Sequence, residues 1–415
     1  MKIAIITSGF LPVIDGVTVS GFHRLQRLSR WGHEVMLFCP DYQSLADVYP
    51  NWQDYIGDIL PGVKVFPLDS TPFMDLDFER NVSRKSYRTL WRELEKFQPE
   101  IIHVDEPERL FLGFWRSAGV DFAKKNNIPC VGFFRTNFVE YIEDFFPVKG
   151  AILNFVEMLI KRFIAWVYNA YDLTLIHSVI TKEKLIKMGI KNVLYQELWG
   201  FEPEVFANPN LKVANFFRDQ YQLEAVDDQV KLLFIGRLTP DKGWNFALDA
   251  FPKVAKMVDL DRVAIIVAGD GPQRTEIAEK LGKLTKNVHL LGRVAPENIP
   301  ALLANSDIYI SNSEKENRAL TVVEALASGT PVLVPNAGGV VENMTDGKTG
   351  FIYIPQDKDN FALKLKQLIE HPDLWQEMGK NGYQNVAGLT LDKAVKNLLE
   401  IWTQEIIKKS KIHLS

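Results

Sequence analysis

The sequence predicts an α/β fold: two doubly wound, Rossmann-like domains facing a central cleft. Three observations carry that prediction. Short apolar runs of strand length recur along the chain, each followed by a polar or glycine-bearing loop and then a helical pattern. The pattern loosens between Gly200 and Gln229 and restarts, again as strand then glycine loop, at Lys231-Leu232-Leu233-Phe234-Ile235. A length of 415 residues suits two domains rather than one. The expected division is residues 1–200, 201–390, and a C-terminal helix over 391–415 that packs back on the first domain.

Composition narrows the function classes. Apolar and charged fractions of 47% and 24% are those of an ordinary globular protein, and a net charge of -4 argues against a general nucleic-acid binder. The two cysteines, Cys39 and Cys130, sit in apolar runs without His or Cys neighbours at metal spacing, so neither a disulfide framework nor a metal site is expected. No uncharged apolar run reaches about twenty residues, so no transmembrane span is predicted. The opening Lys2 to Thr7 reads as a strand rather than a signal peptide.

In chain order, Lys2 to Thr7 is the first strand, followed by the loop from Ser8 to Val17, a helix to Trp31, and a strand over Glu34 to Phe38. The loop glycines lack the G-x-G-x-x-G spacing, so Gly16 reads either as a point of close backbone approach to a ligand or as a plain turn. Strands follow at Val63–Phe66, Ile101–Val104 and Pro129–Phe134, with helices over roughly 80 to 97 and 109 to 126. Ligands in such sheets bind beyond the carboxyl ends of the strands. That places His103, Asp105 and Glu106, and then Arg135, Thr136 and Asn137, at the cleft. Residues 150 to 171 form a long helix, apolar on a broad face with Glu157, Lys161 and Arg162 opposite; it is a core helix, or one lying on a bilayer surface. A strand at Leu173–Ile176 precedes a helix opened by Thr181.

In the second half, strands are expected at 231–235, 264–268, 289–291, 307–310 and 331–334. Four of their ends carry a polar or glycine device. Gly236-Arg237-Leu238-Thr239-Pro240-Asp241-Lys242-Gly243 offers two cations at a helix-opening loop, suited to a diphosphate. Gly269-Asp270-Gly271 makes a tight turn, and Arg293 and Val294 offer backbone groups to a base. The run from Ser311 then leads to a helix over Ala319 to Ala327, with Gly329 as its stop, whose free first-turn amides form an anion site. Two carboxylates flank that turn eight residues apart, Glu316 and Glu324, placed to accept hydrogen bonds from vicinal hydroxyls. Phosphate donors between hydroxyl acceptors fit a nucleotide-sugar. The last helix, Leu391 to Lys409, ends in a basic tail read as a solvated, dipole-favoured helix end.

The G-R-L-T-P-D-K-G, A-G-D-G-P, L-L-G-R-V and E-x7-E runs, with A-L-A-S-G-T-P-V, Ala337-Gly338-Gly339 and D-G-K-T-G-F after them, resemble the retaining glycosyltransferases of the GT-B fold, family four. The resemblance implies that Arg237 and Lys242 hold the donor diphosphate and that Glu316 bonds the sugar. It implies that the Leu320 and Thr321 backbone meets phosphate, that Glu324 takes the ribose, and that the loop ending at Gly16 closes over phosphate. It implies residues 1–200 as acceptor-binding, 201–390 as nucleotide-sugar-binding, and chemistry that requires no metal or cofactor. Where the family's first domain carries His-Thr after a strand, this chain has Arg135-Thr136. The segment Thr136-Asn137-Phe138-Val139-Glu140-Tyr141-Ile142 is similar to one in digalactosyldiacylglycerol synthases, and E-N-R-A-L-T-V-V-E-A-L-A-S-G to one in sulfoquinovosyldiacylglycerol synthases. These imply a UDP-sugar donor, a lipid acceptor, and a peripheral position on the cytoplasmic side of a thylakoid or plasma membrane, with Glu140 on the acceptor side. Competing readings are a metal-dependent transferase built on Asp75-Leu76-Asp77, a transferase with a soluble acceptor, and a non-catalytic nucleotide-sugar binder.

Overall fold

Strand β1 (Lys2–Ile6) shows how the apolar runs are used. Ile3 and Ile5 are buried in one core cluster, Ala4 and Ile6 in another. A strand buried on both faces needs a layer on each side, which is the parallel-sheet solution. A computed structural model describes residues 1–73, 76–135, 151–315 and 319–414. The chain divides into two units, Met1–Gly200 with Leu391–Ser415, and Phe201–Thr390.

In the first unit β2 (Glu34–Pro40), β3 (Gly57–Leu60) and β4 (Val63–Leu68) precede a small hairpin, β5 (Ser70–Phe73) with β6 (Leu76–Val82). Then come β7 (Ile101–Asp105), β8 (Cys130–Phe133), β9 (Leu173–Ile176) and β10 (Val193–Tyr195). The main sheet runs β10-β9-β8-β7-β1-β2-β4-β3 and is parallel except for β3 against β4. Leu90, Leu94, Leu110 and Phe114 cover the Ala4 face. Leu25 and Leu28 cover the other, together with Val395, Leu398 and Trp402 of the Leu391–Leu414 helix. That helix is further pinned by Arg27 to Asp392 at 3.2 Å and by Lys409 to Asp172 at 2.6 Å. The basic tail is therefore partly a structural clasp and not only a solvated end.

The second unit holds β11 (Val230–Ile235), β12 (Val263–Ala268), β13 (Val288–Gly292), β14 (Ile308–Ile310), β15 (Val332–Pro335) and β16 (Gly350–Tyr353). All pairings are parallel, in the order β13-β12-β11-β14-β15-β16. The order reverses direction between β11 and β14, and an open α/β sheet receives ligands at such a switch point.

Several expected elements differ. The helix expected from about 80 begins at Tyr87, because Leu76 to Val82 alternates with period two and pairs as a strand. The helix expected over 109–126 is two, Pro107–Phe114 and Val120–Asn126, parted where Trp115 takes a left-handed conformation with φ +59°. The helix after β9 is opened by Ser178, whose hydroxyl accepts from the Thr181 N–H at 3.1 Å, and not by Thr181. The long helix, Ala151–Tyr168, buries Ile164, Ala165, Val167 and Tyr168 but leaves Phe155, Leu159 and Trp166 exposed, so it is core on one face only.

Candidate functional site

Because β13, β12, β11 and β14 are parallel neighbours, their C-terminal ends share one rim, and the four sequence devices meet there. The loops are stitched to one another through backbone. The Gly269 N–H donates to Gly292 O at 2.7 Å and the Gly236 N–H to Ala268 O at 3.0 Å. The Leu238 N–H donates to Asp270 O and the Gln273 N–H to Leu238 O, both at 3.0 Å. On the other side of β11 the Ser313 hydroxyl donates to Asp241 O at 3.2 Å. Gly243, with φ +75°, lies so close to β14 that a Cβ would sit 2.1 Å from Asn312 O. Only glycine permits that approach.

Lys242 ends a short turn, Pro240–Lys242, and is half-buried; Arg237 is exposed and pairs with Asp241 at 3.2 Å. The facing helix, Leu320–Ala327, starts after Ala319, which has no side-chain acceptor to cap it. The first-turn amides of Leu320 and Thr321 are thus left without a side-chain cap. The Thr321 hydroxyl accepts from Tyr309 at 2.6 Å, and Asn312 accepts from Tyr353 at 3.1 Å, which fixes the floor beneath that turn. Glu324 lies one turn further in. Burial raises its carboxyl to about 7, and no hydrogen bond or ion pair engages that carboxylate among the described residues. Arg293 is exposed and Val294 half-buried at the end of β13. Glu316 lies outside the described residues.

In the first unit, the end of β7 carries a buried charge network. Asp105 pairs with Arg24, lies 3.4 Å from Arg135 and 3.2 Å from His103. Burial alone would raise the Asp105 carboxyl, but Arg24, then Arg135 and His103, hold it well below the usual range. His103 is fully buried between Trp402 and Phe133, and desolvation lowers it to about 4, so it is a neutral anchor inside the sheet rather than a surface contact. Arg135 bonds Ser20 and lies beside the Phe133 ring at 5.1 Å. Glu106 takes the left-handed conformation, φ +54°, and accepts from Ser8. Nearby Glu108, bonded by Tyr168, is raised to about 8 by burial and then by the Glu106 charge. Gly16 begins the helix Gly16–Arg30, but its N-cap Asp15 already accepts from the Val17 and Thr18 amides. A carboxylate there opposes a phosphate, so the Gly16 loop presents fewer free donors than its glycine alone implies. Thr136, Asn137, Glu140 and Asp75 lie outside the described residues.

Sequence reasoning missed Arg24, Ser20 and Ser8, whose partners come from distant segments, and Asn312 and Tyr353 beneath the rim. Of these, Ser8 and Asn312, each two residues beyond a strand, β1 and β14, carried a signal that position could have given. Among the described residues no group of three His, Cys, Asp or Glu is placed to hold a metal ion.

Residues 14–195 match the model of Glycosyltransferase Family 4, and residues 216–385 that of Glycosyl transferases group 1. An alpha-monoglucosyldiacylglycerol synthase of Streptococcus pneumoniae is 27% identical over 382 residues, covering 90% of this chain and 80% of that protein. A GDP-mannose-dependent alpha-mannosyltransferase of Mycolicibacterium smegmatis is 26% identical over 383 residues, covering 89% and 88%. The fold of Anabaena Alr3699/HepE, solved in complex with UDP, superposes with a TM-score of 0.71 at 17% identity, over 97% of this chain and 100% of that one. Matched on both halves, and carrying a doubly wound sheet in each, the chain belongs to the family 4 glycosyltransferases of the GT-B fold.

Proposed function

We propose a retaining, UDP-sugar-dependent transferase that moves a hexose onto a diacylglycerol-type glycolipid; its specific form is galactose from UDP-galactose onto monogalactosyldiacylglycerol. The second unit holds the donor and the first receives the acceptor. What supports the reading is the switch point between β11 and β14: Lys242 lies in the loop after β11, and the helix after β14 opens with its Leu320 and Thr321 amides uncapped and Glu324 one turn further in. In the reaction the bond from the anomeric carbon to the diphosphate breaks. The acceptor hydroxyl oxygen attacks from the same face, and its proton passes to the departing diphosphate. Arg237, Lys242 and the helix amides meet the charge as it develops, an arrangement that is usually the largest catalytic term. Glu316 bonds the transferred sugar, Glu324 the ribose. The protein would act from the cytoplasmic face as a peripheral enzyme; no helix among the described residues is long and apolar enough to cross a membrane.

The second reading, transfer of glucose, is favoured by the resemblance to the pneumococcal glucosyldiacylglycerol synthase. Purified protein screened with UDP-galactose, UDP-glucose, UDP-sulfoquinovose and GDP-mannose against lipid acceptors separates the two. Turnover with a UDP-hexose is expected to persist in excess EDTA, since the neutralising cations belong to the protein. Turnover with GDP-mannose alone, or only with an added divalent ion, would reject the proposal.

Glu324 gives this site a pH signature. A carboxylate that accepts two ribose hydroxyls must be ionised, and burial leaves the free enzyme's Glu324 half protonated near pH 7. UDP affinity is therefore expected to rise from pH 6 to pH 8 and level off, weakening about tenfold per unit below the inflection. Glu324→Gln should bind more weakly at pH 8 and lose the inflection. Calorimetric titration at stepped pH checks this; an unchanged profile in the variant places the inflection on another group.

A further inference from the structure

The outer face of the Ala151–Tyr168 helix is apolar. Phe155, Met158, Leu159 and Trp166 are 56%, 39%, 48% and 60% exposed, and their spacing puts them on one side of the helix. The opposite side already supplies Ile164, Val167 and Tyr168 to the interior, so this stripe is not a displaced core face. It continues onto a neighbouring helix, Pro107–Phe114. There Phe111 meets Trp166 edge-on at 5.1 Å and Phe163 at 5.4 Å. Beyond it Leu112 is 51% and Trp115 69% exposed.

Cations rim and interrupt this surface. Arg84 lies 5.8 Å from the Trp115 ring, and Arg116 follows it in sequence. Arg162 is exposed within the stripe itself, between Leu159 and Trp166, with Lys161 beside it. The acidic residues here are engaged, Glu157 by Lys161 and Asp121 by Arg116 at 3.5 Å. A protein partner would have to bury Arg162 among apolar groups and supply a matching carboxylate. A lipid surface needs no such match. Its acyl boundary takes the apolar side chains, indole rings settle at headgroup depth, and arginine extends to phosphate.

We propose that Phe155, Leu159, Trp166, Leu112 and Trp115, with Arg84 and Arg162, dock the first unit onto an anionic lipid bilayer. The inference deepens, and rests on, the lipid-acceptor reading, because it names the surface on which that acceptor is met. Full-length protein is expected to sediment with phosphatidylcholine vesicles containing about a third phosphatidylglycerol, and much less with phosphatidylcholine alone or in high salt. Trp115→Ser with Trp166→Ser should weaken vesicle partitioning at least about tenfold while UDP titration is unchanged. Leu159→Glu, at an exposed position on the same stripe, should do the same and guards against a folding artefact.

Wild-type protein that stays in the supernatant, or variants that sediment equally well, would overturn the proposal. So would a self-association that these variants abolish in the absence of vesicle binding, since the face would then belong to a second copy. A short-chain, soluble glycolipid acceptor separates this outcome from the reading it rests on. If that acceptor is glycosylated but no vesicle binding occurs, the docking surface alone fails. If vesicles bind but no lipid acceptor is ever glycosylated, the lipid-acceptor reading fails instead.

Discussion

Lys242→Ala is expected to lower turnover at least about a hundredfold while leaving the fold intact. Removing one preorganised donor from a site of developing negative charge typically costs about 2.7–4 kcal/mol of transition-state stabilisation. The backbone that carries Lys242 is held by bonds of its own. Its own N–H bonds Thr239 O at 3.0 Å, the next residue is seated against Asn312, and Ser313 ties Asp241 to β14. Thermal unfolding should therefore move little. Arg237→Ala should cost less, because that side chain is 71% exposed and shares its charge with Asp241. Lys242→Arg should not rescue fully, since a planar fork replaces a point charge on a flexible stem. Steady-state turnover with saturating UDP-hexose, beside an unfolding scan, checks all three. Near-normal turnover of Lys242→Ala would sink the assignment of the diphosphate site.

The difference between the two units in how far they could be read has a physical cause. Each device of the second unit is local: a strand end, its loop and the start of the next helix lie within about a dozen residues, so spacing reports geometry. The strand-end positions of Arg237, Lys242, Leu320 and Thr321 were legible for that reason, and parallel neighbouring strands then brought their loops to one rim. The network around Asp105 is the opposite case. Arg24 reads as the polar side of an amphipathic helix, yet it is buried and paired with a carboxylate 81 residues away. Trp402, which packs on His103, comes from the far end of the chain. No local period encodes such meetings. The hairpin β5–β6 was missed because strand alternation at Leu76 to Val82 competes with the helix signal that follows it at Tyr87. The spacing of Glu324 was visible, but its raised carboxyl follows from burial, which a spacing does not state.

Gly269→Ala is expected to disable the donor site from a position that carries no side chain at all. Gly269 has φ +152°, and a Cβ built on it falls 1.8 Å from Gly236 O. A methyl group does not fit there, so the ends of β12 and β11 must part. Separation strains the Gly236 to Ala268 and Gly269 to Gly292 hydrogen bonds, and with them the loop that leads to Arg237 and Lys242. Unfavourable backbone conformation and overpacking each cost about 1–3 kcal/mol. A loss of that combined size should lower the urea midpoint measurably and weaken UDP binding at least about tenfold. Gly282→Ala is the matched control: it ends a helix in the same unit, and nothing lies within 4 Å of its added Cβ. There the substitution should be neutral or slightly stabilising. Urea unfolding and UDP titration of both variants decide the matter. If Gly269→Ala bound UDP as tightly as Gly282→Ala, the backbone stitching of β13, β12 and β11 would not be what shapes the phosphate site. The assignment would then have to rest on the Leu320–Ala327 helix and its neighbours alone.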